Sequence, residues 1–254
     1  MKAMILAAGL GTRLQPLTQT RPKALMEIQG IPLLAWVIAR LVQHGFTEIV
    51  VNAHHLADQI ATFLDEYQRQ PGHDGLRLAV SRETQLLDTG GGVQNAAWFL
   101  DHGHPFLVHN VDVLTDLDLN RLMEAHRNSG ALATLAVQQR QSSRRFLFDE
   151  HQRLCGWQSL QSGETRMARP TNGHVMPMSF MGIQAMSPEV FKRYTAQAPF
   201  SLVQAYLQLT AAGETINAFR ADKARWLDLG KKEHLAEALD LFGSAFFETL
   251  KRAM

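Results

Sequence analysis

Two glycine-rich turns and two isolated aspartates carry the residue types that could do chemistry. The first turn, Gly9-Leu10-Gly11-Thr12-Arg13, follows directly on an apolar run from Ala3 to Ala7. Paired glycines let backbone approach a ligand closely, and successive N–H groups in such a turn form an anion-binding concavity. Arg13, and Lys23 after Pro22, add fixed cations of the kind that suits a triphosphate. The dinucleotide fingerprint G-x-G-x-x-G fails at Leu14, and the P-loop pattern G-x-x-x-x-G-K-[ST] fails as well. From residue types alone, an anion site and an ordinary β–α turn with two exposed basic residues stand as equal readings.

The second turn is Leu87-Asp88-Thr89-Gly90-Gly91-Gly92. Three consecutive glycines cost conformational entropy, so a loop here is expected to bring backbone close to a ligand, with a merely flexible loop as the alternative. Asp112 follows the apolar run Phe106-Leu107-Val108. A carboxylate at a strand's carboxyl end is a candidate Mg²⁺ ligand. Asp228 stands between Leu227 and Leu229, where a carboxylate is either capped by hydrogen bonds or holding a metal. Asp116 and Asp118 read as a helix cap and a solvated charge. Spacing alone does not join Asp112 to Asp228.

The elements that must position these groups alternate. Short apolar runs of strand length stand at 3–7, 48–53, 76–80, 106–108 and 131–137. Helical stripes lie between them at 33–42, 56–67, 94–100 and 119–127. Strands alternating with helices predict a layered α/β sheet with parallel pairing and right-handed crossovers. Ligands bind such sheets at the carboxyl ends of the strands, which is where both turns fall. After about residue 140 the pattern changes: 146–148 and 154–157 read as a small antiparallel hairpin. Ser187-Pro188-Glu189 reads as a helix start, with Ser187 as N-cap and Pro188 as first helical residue. Leu235, Ala238, Leu239, Phe242, Phe246 and Leu250 form one face of a single C-terminal helix over 233–250, which either folds onto its own core or covers a partner.

Composition bounds the function. The chain has 254 residues, 46% apolar and 19% charged, with Lys+Arg 25 against Asp+Glu 24, for a net charge of +1. That balance is globular, and argues against a nucleic-acid coat or a polybasic membrane binder. One cysteine, Cys155, cannot form an intrachain disulfide and reads as a small core residue. No run approaches the ~18 apolar residues of a membrane span, so a cytoplasmic protein is expected. No histidine spacing suggests zinc, and the Met176–Met181 stretch reads as core. Length favours one domain over 1–254, with the pattern changing after about residue 140 and the C-terminal helix over 231–254.

The motifs also resemble those of a known family. Ala7-Ala8-Gly9-Leu10-Gly11-Thr12-Arg13, Pro16-Leu17-Thr18, Pro22-Lys23-Ala24-Leu25, Gly30-Ile31-Pro32-Leu33-Leu34, Thr89-Gly90-Gly91-Gly92, Asn110-Val111-Asp112, Gly182-Ile183 with Ser187-Pro188, and Trp226-Leu227-Asp228-Leu229-Gly230 are similar to the signature of the sugar-1-phosphate nucleotidyltransferases. The resemblance implies a Rossmann-like α/β/α fold and joining of a nucleoside triphosphate, UTP or GTP, to a sugar 1-phosphate with release of pyrophosphate. It implies a nucleotide-binding half over 1–140 and a sugar-binding half over 141–230, with Arg13 and Lys23 as catalytic cations. It places Ala7, Ala8, Gly9, Leu10, Gly11, Thr12, Arg13 and Lys23 on the nucleotide phosphates, and Glu83, Leu87, Thr89 and Gly90 on base and ribose. Asp112 and Asp228 are implied to hold Mg²⁺, and Asn110, Gly156 and Gly182 to face the sugar. The sequence departs from the usual pattern at Val111, where glycine is common before the aspartate, and at Met178-Ser179-Phe180-Met181, where an asparagine usually precedes the glycine. N-acetylmuramate-1-phosphate uridylyltransferases and mannose-1-phosphate guanylyltransferases share the opening signature, as do phosphocholine cytidylyltransferases. A non-catalytic nucleotide-sugar-binding regulator on the same fold is the reading from another class. A monomer or a homodimer fits either.

Overall fold

A computed structural model describes residues 1–171, 173–230 and 232–254. The chain is mixed α/β and forms two compact units. The first combines residues 1–86, 108–119 and 224–254; the second combines 87–107 and 120–223. Among the described residues no helix is long and apolar enough to cross a membrane.

The first unit is built on parallel strands. Lys2–Leu6 pairs with Glu48–Ala53, which pairs with Arg77–Arg82, both in parallel register. Residues 108–110 run along the other side of Lys2–Leu6, and the Val111 amide donates to the Leu6 carbonyl at 3.1 Å. Ala3, Met4, Ile5, Ile49, Val50 and Val51 are fully buried. Continuous apolar runs covered on both faces are what a parallel sheet requires. Helices Leu33–Gln43 and Ala57–Gln68 make the crossovers. A separate two-stranded antiparallel ribbon pairs Val113–Thr115 with Trp226–Asp228.

The C-terminal segment is two helices, Lys232–Phe242 and Ser244–Lys251, where a single helix is expected from periodicity. Gly243 breaks it, at φ 73° and ψ 160°, a conformation that side chains disfavour. The bend lets Ala238, Phe242, Phe247 and Leu250 bury together on Trp36 and Ala39 of the first long helix. The Phe247 ring meets the Trp36 ring edge-on at 5.0 Å. Leu239, expected on the buried face, is 42% exposed instead. The Leu235 side chain lies outside the described residues.

The second unit is largely antiparallel. Its strand order is Thr165–Met167, Leu154–Ser159, Arg144–Phe148, Met176–Met186 and Ala133–Gln138, with Ile216–Arg220 added in parallel to the last. The expected hairpin is present at its centre, and Cys155 is buried there, its thiol donating to the Leu147 carbonyl. The helix expected after Ser187 is a single turn, Val190–Arg193. The Ser187 hydroxyl does not cap it. It donates to the Ala131 carbonyl and lies 3.1 Å from His126 Nε2. The longer helix is Leu202–Ala211, where Ser201 accepts from the Gln204 amide as a true N-cap.

Candidate active site

The opening turn leaves the first strand at Leu6. Ala7 and Ala8 are buried, Gly9 and Leu10 are exposed, and Gly11 turns the chain with φ 63°. A side chain on Gly11 would lie 2.8 Å from Thr18 Cγ2 and 3.2 Å from Lys23 Cβ. The turn is therefore closed against the segment that carries Lys23. Thr18 holds it there, its hydroxyl donating to the Gly11 carbonyl at 2.9 Å. Arg13 follows in a one-turn 3₁₀ helix, Thr12–Leu14.

A buried polar relay fixes the other end of the turn. The Ala7 amide donates to Asn52 Oδ1 at 2.7 Å, and Asn52 Nδ2 donates to Glu83 Oε1 at 2.6 Å. Asn52 and Glu83 are 3% and 5% exposed. Buried polar groups need such partners, and a satisfied network specifies one geometry. Glu83 thus reaches the opening turn through Asn52.

The antiparallel ribbon brings the two aspartates together. Asp228 stands opposite Val113, and the Leu229 amide donates to the Asp112 carbonyl at 2.7 Å. Each carboxylate then meets one cation of the opening segment. Lys23 Nζ donates to Asp112 Oδ2, and Arg13 Nη1 lies 3.7 Å from Asp228 Oδ2. The Gly230 amide caps Asp228 Oδ1 at 2.7 Å. A side chain at 230 would sit 2.4 Å from Arg13 Nη2, so glycine there admits the guanidinium.

These residues fit a magnesium ion. Two carboxylates on facing strands offer hard oxygen donors, and both remain partly open, with side chains 21% and 32% exposed. Mg²⁺ typically takes one or two carboxylates and completes its shell with water and substrate phosphates. Among the described residues no group of three or more His, Cys, Asp or Glu side chains is arranged to hold a metal. The donor set is thus suited to an ion that arrives with phosphate rather than to one caged by protein.

The remaining expected residues are placed as follows. Asn110 ends its strand half-buried, and its carbonyl oxygen lies 2.8 Å from His109 Nδ1. His109 is fully enclosed, and burial pushes its pKa down to about 4, so its ring is neutral. In the second unit, Leu87-Asp88-Thr89-Gly90-Gly91-Gly92 is not a loop. Helix Asp88–Asn95 begins there. Its glycines serve a protein neighbour: the Gly90 and Gly91 amides donate to the Phe200 carbonyl at 2.9 and 3.1 Å. A Cβ on Gly90 would stand 2.4 Å from the Phe200 ring. The Thr89 hydroxyl accepts from the Leu202 amide, and the Leu87 carbonyl from the Phe200 amide. Gly156 faces the Arg166 carbonyl across its strand pair, 2.6 Å from where a Cβ would be. Gly182 has φ 78° and lies where the pairing register slips between Phe180 and Gln184.

A family model described as "Nucleotidyl transferase" matches residues 2–147. The chain belongs to the nucleotidyl transferase family. An N-acetylmuramate alpha-1-phosphate uridylyltransferase of Caulobacter vibrioides is 31% identical over 238 residues, covering 90% of this chain and 91% of that protein. One of the same name from Neisseria meningitidis serogroup B is 49% identical over 119 residues. That match spans 46% of this chain and about half, 49%, of the relative's length. Among solved structures, UTP-bound UGPase from Acinetobacter baumannii superposes with a TM-score of 0.75 at 19% identity, over 99% of this chain and 97% of that one. The nucleotidyl transferase family therefore accounts for both the α/β fold and the opening turn.

Three residues that shape this candidate site are given no role of their own by the sequence reading. Asn52 is a lone amide inside the apolar run Ile49-Val50-Val51, a signal that was available. Thr18 stands in the Pro16-Leu17-Thr18 segment of the signature, but its bond to the Gly11 carbonyl is visible only in the structure. Arg225 is the anchor of the ribbon: its backbone amide and Nε both donate to Asp116, at 2.7 Å each, and Nη1 donates to the Phe242 carbonyl at 3.0 Å. Asp116, expected as a helix cap, is thereby a brace for the strand that ends in Asp228.

Proposed function

We propose that the chain joins a nucleoside triphosphate to a sugar 1-phosphate, giving a nucleoside-diphosphate sugar and pyrophosphate. The observation that carries this is the double pairing of Lys23 with Asp112 and of Arg13 with Asp228. Two cations and two carboxylates alternate beside a glycine turn, which suits a metal-bound polyphosphate. The reaction is in-line attack of a sugar-phosphate oxygen on the α-phosphorus. That oxygen is already anionic, so no protein nucleophile or general base is needed. The work is alignment of two anions and cancellation of their charge.

The Gly9–Arg13 backbone and the Lys23 ammonium bind the triphosphate and orient its α-phosphorus. Arg13 stabilises the charge that moves onto the leaving pyrophosphate. Asp112 and Asp228 would hold Mg²⁺, which when bound supplies electrostatic stabilisation of the transferring phosphoryl oxygens. The Asn52–Glu83 relay keeps the turn from shifting as charge builds. UTP is the first nucleotide to expect, since both relatives described above are named uridylyltransferases. The test is pyrophosphate release from the four nucleoside triphosphates with a set of sugar 1-phosphates, with and without Mg²⁺. Turnover with UTP and one sugar phosphate supports the reading; no release from any pair at millimolar Mg²⁺ overturns it.

A further inference from the structure

The four charged side chains at the opening turn are paired with one another. Lys23 donates to Asp112, and Arg13 faces Asp228. The groups suited to phosphate are thus the partners of the groups suited to a metal ion. Two cations and two carboxylates make a neutral set, with no net charge to draw in a free ion of either sign. The pairs are unequal. Lys23 and Asp112 are largely enclosed, whereas Arg13 and Asp228 are open to water, which screens their attraction.

The backbone on both sides is pinned. The Leu229 amide donates to the Asp112 carbonyl at 2.7 Å, and the Val111 amide to the Leu6 carbonyl at 3.1 Å. Lys23 opens a 3₁₀ turn in which the Met26 amide donates to its carbonyl at 3.1 Å. The mobile member of the pair is therefore the lysine side chain, a point charge on a flexible four-carbon stem. An ammonium on the Asp112 carboxylate opposes a divalent cation that seeks the same group. Phosphate oxygens offer that ammonium another anionic partner. Each ligand then removes what holds the other off, and such coupling is reciprocal.

We propose that Lys23 is a latch on Asp112. In the unliganded chain it keeps a free divalent ion off the carboxylate. It leaves Asp112 only when phosphate oxygens take its ammonium, so the site accepts metal and polyphosphate together and neither alone. The identity of the two ligands rests on the function proposed above, whereas the tests read binding.

Free Mn²⁺, followed by electron paramagnetic resonance, is the metal probe. Inorganic tripolyphosphate in EDTA, followed by calorimetry, is the anion probe. The wild type should bind each alone only weakly, at millimolar concentration. Lys23→Met should bind Mn²⁺ about 10- to 100-fold more tightly, since one opposing charge has gone. Asp112→Asn should gain a similar factor for metal-free tripolyphosphate. Arg13→Gln should gain less for Mn²⁺ than Lys23→Met, because its pair is looser. Arg21→Gln removes an equal charge from the exposed pair with Glu27 and should gain nothing. Mn²⁺ should also raise the melting temperature of Lys23→Met and leave that of the wild type unmoved. Micromolar binding of Mn²⁺ by the wild type overturns the proposal. So does a folded Lys23→Met with wild-type Mn²⁺ affinity, or an equal gain in Arg21→Gln. If Lys23→Met does not fold, Asp112→Asn decides, and the absence of its gain overturns the latch. Both gains without pyrophosphate release from any nucleotide and sugar phosphate leave the latch standing and count against the nucleotidyl transfer instead.

Discussion

Lys23 and Asp112, 89 residues apart, are hydrogen-bonded, and the lysine side chain is 11% exposed. The second pair, Arg13 with Asp228, is looser: its nitrogen and oxygen stand 3.7 Å apart and the arginine is 57% exposed. The two cations therefore differ in structural weight, although both are proposed to bind the same polyphosphate. An exposed pair contributes little to stability, whereas removing one member of an enclosed pair strands the other.

From this difference, Lys23→Ala and Arg13→Ala are expected to separate in stability and to agree in catalysis. Each should lower kcat/KM by roughly 100-fold, the usual cost of one charge-stabilising group. Lys23→Ala should also lower the melting temperature by several degrees, and Arg13→Ala should not. Steady-state kinetics with calorimetric melting would show it. Full activity in both variants would reduce the opening motif to a turn.

Asp112→Asn and Asp228→Asn keep size and lose charge. Both are expected to lower turnover by at least about 100-fold and to raise the Mg²⁺ concentration for half-maximal rate. Chelation by EDTA should stop the reaction and excess Mg²⁺ restore it. Wild-type Mg²⁺ dependence in both variants would remove the two aspartates from the metal site.

Gly90→Ala tests the meaning of the triple glycine. Alanine inside an ordinary helix gains about 1 kcal/mol over glycine. Here its Cβ would meet the Phe200 ring at 2.4 Å and the Phe200 backbone oxygen at 2.9 Å. Overpacking of this kind typically costs about 1–3 kcal/mol, and backbone cannot step aside as a flexible side chain does. The expected result is a lower melting temperature. A higher one would return this segment to the status of a flexible loop.

Phe247→Ala should cost about 3–5 kcal/mol, since the ring is fully enclosed against Trp36. Phe246→Ala should cost less, because that ring is only half-buried beside Phe242. The Phe247 loss should be the same at all protein concentrations. Light scattering and melting across a hundredfold dilution would check it; a concentration-dependent midpoint would move this face to an interface between subunits.

His126 gives the pH dependence its sign. Burial pushes its pKa from about 6.5 down to about 4, and its ring stands 2.9 Å from Thr134 Oγ1. The folded ring is neutral while the unfolded one takes a proton, so this stability is complete above pH 6.5 and is lost as pH falls toward 4. His109 behaves in the same way. Each contributes up to about 3 kcal/mol of pH-dependent loss. His126→Gln should flatten the decline of unfolding free energy between pH 6.5 and 4; an unaltered slope would show that His126 does not titrate in this window.

The local features of this protein were legible in its sequence because they depend on neighbours a few residues away. The apolar run into Gly9-Leu10-Gly11 announces a buried strand ending in a turn, and the 3.6-residue stripe from Leu33 to Val42 announces the helix that follows. Arg13, Lys23, Asp112 and Asp228 stand out singly by type and context. What joins them is not local. Asp228 meets Asp112 only because the ribbon pairs Trp226–Asp228 with Val113–Thr115, and that register is held by Arg225 on Asp116 and the Phe242 carbonyl. No spacing rule spans such distances, since the pairing is chosen by packing and by satisfaction of buried hydrogen bonds. The same holds where the sequence misled. Gly90–Gly92 read as a loop, whereas a helix begins at Asp88, because glycine reports only that something comes close, not what. The tertiary structure supplies the neighbour, Phe200. Gly243 likewise sits inside an unbroken apolar period, and only the position of Trp36 and Ala39 decides that the chain must bend there for Phe247 and Leu250 to leave water.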